Sequence, residues 1–121
     1  MYFVISCSFQ WCLSEHGYLV EIGSEREQLW IEMLMASDTQ TGAYWIGLSD
    51  ETQEGIWVWQ NSFVEASFAN WTSGNPHVDR TMNCAHMSLP LEYEGTWYDI
   101  DCKHDRAGWG IHAICEMENT G

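Results

Sequence analysis

The sequence predicts an α+β domain stapled by disulfides, on three observations. Its five cysteines, Cys7, Cys12, Cys84, Cys102 and Cys115, stand near both ends and again around a Trp-rich middle. That placement suits a small domain in which one bridge ties the termini together. Two helical signatures fill the first part of the chain, and after Gly42 the pattern changes to strands. Disulfides persist in oxidising surroundings, so the protein is expected to be secreted and extracellular.

Each element has a local reason. Tyr2 to Ile5 reads as a short edge strand, and Ser8 caps a helix that runs through Trp11 and Cys12 and stops at Gly17. A second helix starts at Ser24. There Ser24-Glu25-Arg26-Glu27 forms a capping box, in which hydroxyl and carboxylate each satisfy a backbone N–H otherwise left free. Glu27, Trp30, Ile31 and Leu34 follow at helical spacing, and the last three are predicted to face the core. Strands are predicted at Ala43 to Leu48, Ile56 to Gln60, Cys84 to Ser88, Gly95 to Asp99 and Trp109 to Glu116. Between Asn61 and Asn83 there is little periodicity, but there are Gly74, Pro76, aromatic clusters and polar side chains. This is a long loop, and loops on rigid scaffolds are where binding residues concentrate.

No internal repeat, linker or low-complexity stretch interrupts the chain, so residues 1–121 are read as one domain. With 45% hydrophobic and 14% aromatic residues, it has enough apolar side chain for a real core. The eight tryptophans each bring an indole N–H that needs a partner, which favours structured, partly wet surroundings. Met1 to Phe9 is apolar but lacks a basic start and a small-residue cleavage site, as expected of a mature domain whose leader is absent or replaced by Met1.

Charge and motifs exclude several functions. Eighteen acidic against four basic residues give a net charge of −14, which repels phosphate backbones and anionic lipid. Nucleic acid is therefore not an expected partner, and the charge is read as solubility in an extracellular fluid. No apolar run is long enough for a membrane span. A nucleophile elbow, a phosphate-cradling glycine loop and a metal-plus-base motif are all missing, so an enzyme is not expected. His16, His77, His86, His104 and His112 show no paired spacing for structural zinc. An odd cysteine points to an intermolecular bond or a free thiol. One of the five must be left over in any pairing within the chain.

Several segments occur in a fixed order: Cys12, Gly17-Tyr18-Leu19-Val20, Tyr44-Trp45-Ile46-Gly47-Leu48, Gly55-Ile56-Trp57-Val58-Trp59, Cys84, Trp97-Tyr98-Asp99, Cys102 and Ala113-Ile114-Cys115-Glu116. Together they resemble the C-type lectin-like domain over nearly the whole chain. The resemblance implies two helices packed on small antiparallel sheets with a long ligand-binding loop. It also implies the disulfides Cys12–Cys115 and Cys84–Cys102, which leaves Cys7 over. A disulfide-linked homo- or heterodimer through Cys7 is therefore expected, with a buried thiol as the alternative. Linked sites would turn weak monovalent affinity into avidity.

In sugar-binding members of that family a loop motif of the Glu-Pro-Asn or Gln-Pro-Asp type, a downstream Glu and the Asn-Asp of Trp-Asn-Asp hold calcium, which then binds two sugar hydroxyls. Here the loop reads Asn75-Pro76-His77, Met82 stands where the extra carboxylate is expected, and the last motif reads Trp97-Tyr98-Asp99. Asn75 and Asp99 remain as oxygen ligands, with Asp79 near enough in sequence to swing in. Calcium takes six to eight oxygens, and an imidazole suits so hard an ion poorly, so no metal is expected at this loop. Pro76 is retained, and the resemblance implies a cis bond before it. The same region could hold a sugar directly, with Asn75, Asp79 and Asp99 as acceptors, Arg80 as a planar donor, and His77 and Tyr98 as aromatic faces with polar tips. The competing reading is ordinary polar loop residues on a domain that binds protein or nothing.

The family also suggests a second calcium position at Glu21, Glu27 and Glu116, where Gly23 replaces a further carboxylate; its alternative is a solvated acidic patch with a capping Glu27. No cofactor is therefore required, although calcium has this one place. The resulting expectation is an extracellular lectin of innate defence or agglutination. It would recognise glycans such as N-acetylhexosamines with little or no calcium dependence at the usual loop. The alternatives are a protein-binding lectin-like module, or an ice-binding protein, against which stand the few Thr residues on any obvious face and the strongly charged exterior. Asn70-Trp71-Thr72 is a glycosylation sequon, with Asn70 expected to be unmodified.

Overall fold

The computed structural model describes residues 2–6, 9–35, 43–77, 81–88, 95–102 and 112–117. In chain order the elements are β1 (Tyr2–Ser6), α1 (Phe9–Ser14), β2 (Tyr18–Leu19), α2 (Glu25–Met35), β3 (Ala43–Ser49), β4 (Val58–Trp59), β5 (Cys84–Ser88), β6 (Trp97–Ile100) and β7 (His112–Met117). Ser8 and Cys7, and the start of the last predicted strand at Trp109, lie outside the described residues.

The strands form one connected seven-stranded sheet rather than separate antiparallel ones. Its order is β1-β7-β3-β5-β6, with β2 added on β7 and β4 on β3. The central pair β3 and β7 runs parallel, and the other pairings are antiparallel. Register decides which side chains share a face, because alternate residues of a strand point to opposite sides. Tyr44, Met87 and Trp97 lie opposite one another across β3, β5 and β6, as do Ile46, Ala85 and Asp99. Their face carries the main core, which also takes in Val20, Ile22, Ile31, Met35, Leu48, Trp57, Trp59 and Ile114. The intervening row Trp45, His86 and Tyr98 belongs to the other face, where edge-on ring contacts of 4.1 and 5.3 Å link the three.

α1 is fixed by the disulfide from Cys12 to Cys115 on β7. It ends where Gly17 N–H donates to the Cys12 carbonyl at 2.7 Å, and the left-handed residue is His16, at φ 64°, rather than a glycine. Gly17 suits its place for a different reason: a Cβ there would press on the backbone carbonyl oxygens of Glu116 and Cys12, at 3.0 and 3.2 Å, as well as on the more mobile Met117 Sδ. Tyr18 and Leu19 then pair with β7, a two-residue strand too short to show periodicity in the sequence.

α2 departs from its predicted face. Gln28, Ile31 and Met35 are buried, Leu34 is half-buried, and Trp30 is 53% exposed. Successive helical residues are about 100° apart, so a stripe through 28, 31 and 35 turns position 30 outward. Gln28 holds a core position because its amide is fully used. Its Oε1 accepts from Trp97 Nε1 at 2.9 Å, and its Nε2 donates to the Gly95 carbonyl and to Glu32, each at 2.9 Å. The N-cap forms with one change of partner. Glu27 N–H donates to Ser24 Oγ at 3.2 Å, while the Glu27 carboxylate accepts from Gly23 N–H at 3.2 Å instead of from Ser24.

The predicted strand Ile56 to Gln60 shrinks to Val58–Trp59, because Ile56 N–H closes a turn onto the Gln53 carbonyl. Cys84–Ser88 keeps its predicted limits, and Cys84 is joined to Cys102.

Candidate functional site

The long loop is fastened to the start of β6 by its own backbone. Trp97 N–H donates to the Asn70 carbonyl at 2.8 Å and Thr72 N–H to the Trp97 carbonyl at 2.6 Å, while the Thr72 and Thr96 hydroxyls meet at 2.6 Å. Asn70 Nδ2, the atom a glycan would take, donates to the Gly95 carbonyl at 3.1 Å. The chain then turns through Gly74, at φ 88°, with Asn75 N–H on the Thr72 carbonyl at 2.9 Å, into a cis Asn75–Pro76 bond.

This turn carries His77 onto β6. His77 N–H donates to Asp99 Oδ2 at 2.8 Å, and its imidazole Nδ1 lies 2.8 Å from Asp99 Oδ1. The Asp99 side chain is completely buried, whereas that of His77 is 56% exposed. Asn75 Oδ1 is buried and meets no hydrogen-bond donor among the described residues.

Of the six residues predicted to hold a sugar, the structure gathers Asn75, His77 and Asp99. Tyr98 stands apart. It follows Trp97 and precedes Asp99 in β6, so it points to the opposite face, against His86, and burial raises its phenol above the usual range. The strand prediction itself held this information, since neighbours in a strand cannot share a face. Asp79 and Arg80 lie outside the described residues.

Among the described residues, the loop offers few free oxygens to a calcium ion, which takes six to eight. Both Asp99 oxygens already accept from His77, Asn75 offers one oxygen, and Met82 offers a thioether where a carboxylate would stand.

Glu21, Glu27 and Glu116 come together elsewhere, in a cavity of about 270 Å³ that Glu65, Trp59 and Ser62 also line. Each carboxylate is already engaged. Glu116 accepts from the Tyr18 hydroxyl at 3.0 Å and from Glu21 N–H at 3.3 Å, while Glu21 accepts from Asn61 and Ser62 N–H, each at 2.9 Å. Desolvation raises the Glu116 carboxyl above its ordinary range, its hydrogen bonds to Glu21 N–H and Tyr18 lower it, and the charges of Glu27 and Glu21 raise it further. Glu65 was not singled out in the sequence. It arrives through an isolated bridge to Val58 that no local pattern announces. Among the described residues, the trio whose ligand atoms all lie within 4.8 Å of one another is Glu51, Cys84 and Cys102, and its two sulfurs form a disulfide.

The lectin C-type domain model matches residues 5–117. The chain belongs to the C-type lectin domain family. This lectin domain is 34% identical over 99 residues to "Perlucin-like protein" of Mytilus galloprovincialis, covering 81% of the chain and 62% of that relative. It is 31% identical over 106 residues to "Alpha-N-acetylgalactosamine-specific lectin" of Patiria pectinifera, covering 86% of the chain and 60% of that relative. The chain thus spans about three fifths of the length of these two relatives. Among solved structures, the mouse scavenger receptor C-type lectin carbohydrate-recognition domain superposes with a TM-score of 0.77 at 28% identity, covering 99% of this chain and 88% of that one. A calcium-independent type II antifreeze protein superposes with a TM-score of 0.73 at 23% identity, covering 93% of this chain and 82% of that one, which shows the fold alone. The resemblance read from the sequence and both implied disulfides are borne out. No helix among the described residues is long and apolar enough to cross a membrane.

Proposed function

We propose that this C-type lectin domain binds carbohydrate at the loop around Asn75, Pro76 and His77, without calcium there. The observation that carries this is the pair of hydrogen bonds from His77 to Asp99, which hold the loop directly against β6 and engage both oxygens of the carboxylate. His77 is the exposed polar group offered to the sugar, with the half-buried Asn75 beside it, and Asp79 and Arg80, close by in the chain, complete the proposed set. Asp99 acts from behind, and Tyr98, on the opposite face, is left out of the pocket. N-acetylhexosamines are the proposed sugars, a choice supported by the relative named for α-N-acetylgalactosamine. The protein is read as one domain over residues 1–121, acting outside the cell in defence or agglutination, in keeping with its two disulfides. A dimer through Cys7, a residue outside the described set, would supply avidity. Calcium, where it binds at all, is assigned to the cavity of Glu21, Glu27 and Glu116.

The test is a glycan array on the oxidised protein, run in parallel with calcium and with a chelator. Binding that survives chelation and is lost in Asp99→Ala and Arg80→Ala is the expected result. Binding abolished by the chelator would refute the metal-free reading. Silence in both conditions would favour a protein-binding module, the reading to which the exposed Leu29, Trp30 and Met33 on α2 lend support.

A further inference from the structure

We propose that His77 does in this loop the work of a cation: one nitrogen pair clamps Asp99, and the remaining ring nitrogen faces outward as the ligand contact. The second half of this inference rests on the reading of the loop as the sugar site; the first half does not.

A carboxylate removed from water is costly unless its oxygens are paired. Asp99 is such a group, for its side chain has no exposure at all. No Lys or Arg meets it among the described contacts. Both of its oxygens are instead satisfied by a single residue, Oδ2 by the His77 backbone N–H and Oδ1 by the ring Nδ1, each at 2.8 Å. Hydrogen bonds to a charged acceptor are about twice as strong as neutral ones. This two-point grip fixes the backbone just after the cis Asn75–Pro76 bond and fixes the ring as well. An ionised carboxylate only accepts, so Nδ1 must carry the proton. In the neutral ring Nε2 is then left with its lone pair, on a side chain that is 56% exposed. It is a pre-oriented acceptor for a hydroxyl or amide N–H. The grip also explains why the oxygen set of this loop does not suit a metal: the carboxylate a cation would need is already held from within.

Four variants separate the two roles. Asparagine places an amide N–H close to where the His Nδ1–H sits but has nothing at the Nε2 position. His77→Asn is therefore expected to melt within a degree or two of the wild type, whereas His77→Ala melts several degrees lower. Both are expected to lose affinity for an N-acetylgalactosamine-bearing glycan by tenfold or more, about 1.4 kcal/mol. His77→Asp, which releases the clamp and adds a carboxylate, is expected to gain a rise in melting temperature with millimolar calcium. In the wild type, any calcium-dependent rise should persist in Asp99→Asn, since it would come from the distant acidic cavity. His77→Asn melting as low as His77→Ala would overturn the clamp, as would a wild-type calcium shift that Asp99→Asn abolishes. If the wild type binds no glycan, the outward role of Nε2 fails and the melting data alone decide the clamp.

Discussion

Gln28 shows what a single polar side chain contributes to this fold. It sits 3% exposed on α2, and its amide joins that helix to the start of β6 through the Trp97 indole and the Gly95 carbonyl. Truncation to alanine would leave the Trp97 indole N–H buried without this partner, while the Gly95 carbonyl would keep the hydrogen bond from Asn70 Nδ2. A buried group left unsatisfied costs about 1–3 kcal/mol, so Gln28→Ala is expected to lower stability by about that amount. Glu32 accepts one hydrogen bond from this amide and is half-exposed, so Glu32→Ala should cost about 0.5 kcal/mol or less. Urea denaturation of the two variants checks the ranking, and equal losses would mean that the Trp97 and Gly95 bonds are not the ones that matter. Indole N–H groups need partners, and the sequence indicates that requirement without naming Gln28. The clue was its position three residues before Ile31, on the same helical stripe.

At the level of the element, α2 presents two apolar faces, and only one of them is packed. Ile31 is fully buried, while Leu29, Trp30 and Met33 are all more than half exposed. Ile31→Ala should cost about 2–5 kcal/mol through lost burial and a residual cavity. Trp30→Glu should stay within about 0.5 kcal/mol, as for any surface change away from a cap or network. Thermal melts of the pair test which stripe faces inward, and a large loss in Trp30→Glu would reverse the assignment. This is also where sequence reading met its limit. Helical periodicity located α2 and its cap, but Trp30 and Ile31 are adjacent, and hydrophobicity alone could not choose between stripes centred on either. Cys84–Ser88 was legible with its correct limits, and the structure buries four of its five residues. The clamp of His77 on Asp99 was not legible. The partners lie 22 residues apart, and only the fastening of Thr72 and Asn70 to Trp97 brings them together.

Across the whole molecule the two ends of the chain are held to one strand. β1 and β2 both pair with β7, and Cys12 on α1 is bonded to Cys115 within β7, closing 103 residues of sequence. Cys84–Cys102 closes only 18 and lies beside the strands that carry Asp99. In the chain-entropy account a disulfide acts on the unfolded state, and its effect grows slowly with the loop it closes, to about 4.7 kcal/mol near 100 residues and about 3 kcal/mol near 15. Replacing Cys12 and Cys115 together by alanine should therefore lower stability more than replacing Cys84 and Cys102, by roughly 1–2 kcal/mol. The functional consequences should rank the other way. The short bridge joins the start of β5 to the residues just after β6, so its loss loosens the platform against which His77 is held. The long bridge acts far from that platform. Equilibrium denaturation should thus single out the Cys12/Cys115 variant, and glycan affinity measured well below either melting temperature should single out the Cys84/Cys102 variant. If one variant is worse in both measurements, stability and binding are not set by separate bridges, and the loop depends on the closure of the whole chain.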